Sequence, residues 1–136
     1  MDREPVVLYV EDDVNSRKLM EMLLKRRMKL KHVTILEDSQ NFISNMQALD
    51  PKPNLILLDI HMLPHNGFEM LAMLREMSWV GDTPIVALTA SVMNEEVQRL
   101  RNAGFDGCIS KPLEIEDFPD TIARILEGER VWRITS

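Results

Sequence analysis

The run NLILLDIHMLPHNG, residues 54–67, leads four apolar residues straight into a carboxylate, Asp59, and then into a loop of proline, histidine and glycine. Other apolar runs also end in reactive groups: VVLYV in Glu11, Asp12 and Asp13, PIVAL in Thr89, Ala90 and Ser91, and GCIS in Lys111 and Pro112. HVTIL ends less informatively, in Glu37 and Asp38. Gathered at one low-dielectric edge, the carboxylates would repel one another and resist ionisation unless a cation sat among them. Oxygen ligands from few side chains, with room for water, suit Mg²⁺, with Mn²⁺ as its substitute, better than zinc, which takes His or Cys. His61 and His65 are close in sequence, but no cysteine accompanies them. A lysine and a threonine hydroxyl on the same edge supply the charge and the donor that hold phosphoryl oxygens. Carboxylate, divalent cation, hydroxyl and ammonium together describe a site where a carboxylate attacks phosphorus and becomes an aspartyl phosphate.

The elements that must position these groups are legible as periodicity. Val6–Val10, His32–Leu36, residues 55–58, residues 84–88 and Gly107–Ser110 read as five short strands with helical segments between them. Phe42, Met46 and Leu49 recur at helical spacing after the cap candidates Asp38 and Ser39. Met93, Val97 and Leu100 repeat that spacing, and Phe118, Ile122, Ile125 and Leu126 form a third stripe that Gly128 ends. Pro119 is tolerable there because the amide donors of a first helical turn lack partners anyway. Strands apolar throughout, alternating with helices, predict an α/β fold, a doubly wound parallel sheet with helices on both faces. Ligands of such sheets bind beyond the carboxyl ends of the strands, where the polar residues above stand.

Composition narrows the partners. The 136 residues make one domain's worth of chain. Sixteen Lys and Arg against 22 Asp and Glu leave a net charge of −6, which argues against a nucleic-acid surface and for proteins or small ligands. The single cysteine, Cys108, excludes an internal disulfide, and no charged n-region precedes an apolar h-region. The apolar runs are far too short to span a bilayer, so a cytoplasmic protein without membrane contact is expected.

YVEDD, LILLDI, ALTA and ISKP, in this order at the strand ends, resemble the receiver domain of bacterial two-component response regulators, the chemotaxis-regulator-like type with a flavodoxin-like (βα)5 fold. The resemblance runs from roughly residue 5 to residue 127. It implies Asp59 as phospho-acceptor, Glu11 and Asp12 as the acidic pair, Thr89 as the switch hydroxyl and Lys111 as the phosphate-binding lysine. It implies Mg²⁺ held directly by Asp12, Asp59 and the backbone carbonyl of His61, with Glu11 acting through water. It implies a phosphohistidine donor on a sensor histidine kinase or histidine phosphotransfer protein and a downstream protein target; receivers often pair into a homodimer through the helix 4, strand 5, helix 5 face, and which surface this chain uses is left open by the sequence. Such a chain catalyses its own phosphorylation and aspartyl-phosphate hydrolysis without being a dedicated enzyme. Residues 1–128 are expected to form the receiver domain and residues 129–136 a short C-terminal tail with no output domain.

Departures from the family pattern carry their own expectations. Leu63 stands where a proline usually follows the acceptor by four residues, with Pro64 one later, while Gly67 keeps its distance. His61 and Ser91, two residues beyond Asp59 and Thr89, occupy positions that tune the lifetime of the acyl phosphate, and the small Ala90 leaves the phosphoryl group accessible. Cys108 stands three residues before the lysine, where the family places a Tyr or Phe that turns inward as the threonine closes. A thiol is too small for that, so the helix-4 face is expected to reorganise weakly or by another route.

Rival readings fit less well. A haloacid-dehalogenase-type phosphatase needs a second acid two residues after the nucleophile, where this chain has His61. A flavodoxin-like cofactor binder needs a phosphate loop after the first strand, and an acidic cluster there would repel a phosphate. The alternative is a phosphorylation-independent protein-interaction module of the same fold; the intact set Glu11, Asp12, Asp59, Thr89 and Lys111 counts against it. Bland readings make Asp59 a turn cap, His61 and His65 loop surface, Cys108 a buried filler, the ten methionines adaptable packing and residues 25–27, KRR, a solvated helix end. Val131, Trp132 and Ile134 are apolar for a tail, and either pack back on the domain or meet a partner.

Overall fold

The computed structural model describes residues 4–91 and 93–132. Its frame is one parallel sheet of β1 (Val6–Val10), β2 (His32–Leu36), β3 (Leu55–Asp59), β4 (Ile85–Thr89) and β5 (Gly107–Ser110), in the order β2-β1-β3-β4-β5. β3 and β4 are buried over their whole length, because both faces of a central parallel strand are covered by helices and only continuous apolar runs can occupy it. β2, at the sheet edge, is at most half-buried.

The helices are α1 (Val14–Glu21), continued by a wider π-helical stretch over Met22–Arg27, then α2 (Phe42–Ala48), α3 (Gly67–Arg75), α4 (Asn94–Ala103) and α5 (Phe118–Leu126). Strand alternation divides the core in two. Val7, Tyr9, Leu55 and Leu57 pack on Met20, Leu23, Phe118 and Ile122, so α1 and α5 cover one face. Leu8, Val10, Ile56 and Leu58 pack on Phe42, Met46, Met70, Leu74 and Leu100, so α2, α3 and α4 cover the other. The doubly wound architecture expected from the strand pattern is the one observed.

Local corrections concern helix ends. Asp38 and Ser39 do not cap α2, whose N-cap is Asn41. Asp38 instead accepts from the Gln40 amide, and the buried Ser39 hydroxyl bonds both the amide and the carbonyl of His65, tying the β2–α2 loop to the β3–α3 loop. Met93 is 65% exposed because it precedes α4 as its N-cap, leaving Val97 and Leu100 to face the core. Leu49 lies just past α2 and is half-buried. The basic residues 25–27 are exposed, as a solvated helix end would be. Ile134 lies outside the described residues, whereas Val131 is buried and Trp132 half-buried against the domain.

Candidate functional site

Register brings the chemistry together. β1 pairs with β3 as Tyr9↔Leu57 and Val10↔Leu58, so the next rung sets Glu11 beside Asp59. The chain leaves β1 for β2 on one side and β3 for β4 on the other, which makes this the switch point where helices diverge and a crevice opens. Farther along, Thr89 is paired with Ser110, and the Lys111 amide donates to the Thr89 carbonyl at 2.9 Å. Lys111 then reaches back across the crevice, its Nζ 2.5 Å from Glu11 Oε1 and 3.5 Å from Asp59 Oδ2.

The two buried carboxyl groups are shifted in opposite directions. Burial pushes the Asp59 carboxyl up, the hydrogen bond with Glu11 adds to it, and together they outweigh Lys111 and raise Asp59 to about 7. Burial opposes ionisation of Glu11 as well, but hydrogen bonds from Asp59, Lys111 and Tyr9 outweigh it and hold Glu11 well below the usual carboxylate range. Carboxylate oxygens of Glu11, Asp12 and Asp59 lie within 4.8 Å of one another, with Asp12 exposed and the other two buried. A six-oxygen shell with bonds of about 2.1 Å sets its ligand atoms roughly 3–4 Å apart, so this all-oxygen trio fits a hard divalent cation after small side-chain adjustments.

The remaining predicted residues are placed less tightly. Thr89 is buried, and its hydroxyl donates to the Ser91 carbonyl at 3.3 Å while accepting the Ser91 amide at 3.1 Å, so the threonine is engaged by its own loop. His61 is exposed and its amide donates to Asp59 Oδ1 at 3.3 Å. Ala90 is exposed too, and with Tyr9, Ser16, Leu19, Lys111 and Leu113 it lines a cleft of about 380 Å³ beside the carboxylates. Cys108 does not join them. It pairs with Ala87, two rungs down the ladder from Thr89, and burial pushes its thiol up to about 11. In the β3–α3 loop Gly67 lies close against Ile60, where a Cβ would stand 2.6 Å from the Ile60 side chain and 3.0 Å from its Cα, and Asn66 with Glu69 forms a capping box that starts α3.

Two supporting residues were not foreseen. Tyr9 is fully buried and its hydroxyl donates to Glu11 Oε1 at 2.6 Å, staying a neutral donor because burial and the adjoining carboxylate both oppose its ionisation. The signal existed: strand period two puts residues 9 and 11 on one face, and Tyr9 is the one polar tip in VVLYV. Arg17 donates to the Glu11 carbonyl at 3.0 Å and pairs with Glu37 at 3.6 Å, joining α1 to the ends of β1 and β2. Its partner comes from another strand, so no local pattern marks it.

The chain is similar to known proteins. The family model described as the response regulator receiver domain matches residues 7–123. Sensor histidine kinase RcsC of Salmonella typhi is 29% identical over 129 residues, covering 94% of this chain but 13% of that protein, so the chain spans a small part of that relative. Among solved structures, Vibrio cholerae chemotaxis protein CheY4 superposes with a TM-score of 0.79 at 25% identity, over 90% of this chain and 99% of that one. The Mn(2+)-bound form of response regulator Rcp1 gives 0.72 at 26% identity, over 91% and 93%. The family match begins within β1 and ends within α5, enclosing every strand end that builds the crevice, and this chain belongs to the response regulator receiver domain family.

Proposed function

We propose that the protein takes a phosphoryl group onto Asp59 from a phosphohistidine of a sensor histidine kinase or histidine phosphotransfer protein and relays the event by conformational change. The observation that carries this is the convergence of Asp59, Glu11, Asp12 and the Lys111 ammonium at one switch point. An Asp59 oxygen attacks phosphorus in line, the P–N bond breaks, and its electron pair leaves with the imidazole, which ends protonated. A divalent cation, Mg²⁺ or the Mn²⁺ seen in the Rcp1 relative, would be held by Asp12, Asp59 and the His61 carbonyl, with Glu11 through water, and supplies neutralisation of phosphoryl charge. Lys111 swings from Glu11 to the phosphoryl oxygens, and Thr89 gives up Ser91 to donate to one of them.

His61, Ala90 and Ser91 flank the phosphoryl position and set how readily water reaches it. The cleft beside Ala90 and Lys111 is where the donor approaches. Residues 1–128 act as the receiver unit and residues 129–136 as a C-terminal segment. The role is signalling rather than dedicated catalysis, with a downstream protein as reader and a second copy of the chain as one form that reader can take. Among the described residues no helix is long and apolar enough to cross a membrane.

Intact mass after incubation with acetyl phosphate and Mg²⁺ tests the reading. One added phosphoryl group is expected in the unmodified protein and none in Asp59→Asn or with EDTA. Absence of the adduct under rapid quenching, together with failure to bind beryllofluoride, makes the chain a phosphorylation-independent binding module instead.

A further inference from the structure

Beyond α5 the chain turns at Gly128, whose φ is 101°, and runs back beside β5. The Cys108 amide donates to the Val131 carbonyl at 2.9 Å, and Cys108 pairs with Trp132 in a single parallel bridge. Extended backbone sends neighbouring side chains to opposite faces of the sheet. Val131, 5% exposed, enters the cluster of Ile109, Phe118 and Ile122 on the α5 side. Trp132 packs on the opposite cluster, which holds Cys108, Leu100 and Phe105, and the Arg101 guanidinium of α4 lies 4.4 Å from its ring centroid. The segment therefore grips the sheet from both faces and ties α4 to β5. β5 is built to receive it: a Cβ on Gly107 would stand 2.6 Å from the Val131 carbonyl oxygen, and Cys108 is small.

We propose that residues 130–132 form a releasable strap, which covers the outer edge of β5 and holds α4 against it until phosphorylation of Asp59 frees it. This rests on the receiver reading above. Thr89 ends β4, is paired across to Ser110 of β5, and holds Ser91 in the loop that leads to α4. A Thr89 hydroxyl drawn to a phosphoryl oxygen releases Ser91, displaces that loop and moves α4 with Arg101. Among the described residues one backbone hydrogen bond, the Arg130–Asp106 ion pair at 3.8 Å, one cation–π contact and two packed side chains hold the strap, so losing the Arg101 contact removes one of its few attachments. Its departure bares the Cys108 amide and the apolar ground around the thiol, a surface that exists only in the phosphorylated protein.

The test uses the 136-residue chain carrying Trp79→Phe, which leaves Trp132 as the sole indole. Beryllofluoride and Mg²⁺ are added; bound fluoride is read by fluorine NMR, and the strap by Trp132 emission and by the rate of Cys108 labelling with a maleimide. Bound fluoride accompanied by red-shifted emission and a rise of about tenfold in labelling supports the strap, because labelling of a buried thiol reports local opening. Gly107→Val is expected to produce both strap signals without beryllofluoride, and Arg101→Ala serves the same purpose if the valine variant does not fold. Bound fluoride with emission and labelling unchanged overturns the strap while leaving the receiver reading intact. Unaltered labelling in both variants overturns it as well. No bound fluoride overturns the receiver reading, and the strap's trigger falls with it.

Discussion

Glu11 and Cys108 are both fully buried, one at the switch point and one beside the outer strand, yet they are buried on opposite terms. Glu11 carries its charge inside because Tyr9, Lys111, the Asp13 amide and the Asp59 carboxyl surround it with hydrogen bonds. Cys108 asks for no donor to its side chain, merely cover, which Trp132 and the α4 side of the core provide. The first arrangement is expensive to disturb and sensitive to pH. The second depends on cover alone.

The contrast is broken most severely by Glu11→Ala, which strands the Tyr9 hydroxyl in the core and removes the nearer partner of Lys111. The loss expected from urea denaturation is about 2–3 kcal/mol, kept from being larger because Lys111 can turn to Asp59, 3.5 Å away. A loss under about 0.5 kcal/mol means the site is wetter than its burial implies.

Asp59→Asn acts in the other direction. Because the folded protein holds on Asp59 a proton that the unfolded chain releases, stability falls as pH rises from the ordinary aspartate value of 3.8 through about 7. Asparagine carries no such penalty and keeps a donor toward Glu11. The variant is expected to gain on the order of 2 kcal/mol near pH 8 and nothing at about pH 4, a difference that Mg²⁺ narrows by displacing the proton. Thermal melts across that range check it, and a gain independent of pH means the penalty has another source.

The smallest effect sharpens the comparison from the other side. Cys108→Ala loses part of a buried side chain, about 1 kcal/mol; the loss should be the same from about pH 5 to pH 7 and shrink above about pH 8, where the unfolded chain ionises its thiol while burial holds the folded one neutral up to about 11. A loss that varies below about pH 7, or that stays constant up to about pH 10, means the thiol is not held neutral by burial.

How much could be read in advance follows from the range of the interactions. VVLYV, HVTIL and GCIS were recognisable as strands to their observed ends, since an apolar run bounded by polar residues is a local property. The acidic pair, Asp59, Thr89 and Lys111 were recognisable as neighbours on one edge because a doubly wound sheet aligns all its carboxyl ends there, so position at a strand end sufficed. Tyr9 lay within reach of strand period two, which puts it on the same face as Glu11. Met93 misled because a residue at helical spacing and a residue just ahead of a helix look alike in sequence, and only the cap geometry distinguishes them.

What the amino-acid order alone determined here is the set of elements and the edge on which the chemistry stands, because hydrophobic period and strand-end polarity act over a few residues. What the tertiary structure decided is which groups meet within that edge and what covers the last strand. Lys111 and Glu11 bond across 100 residues, Ser39 and His65 across 26, and Val131 with Trp132 choose β5 over solvent. Each depends on strand register and on space left by neighbours, such as the absent Cβ of Gly107, and those are properties of the packed sheet rather than of any stretch of chain.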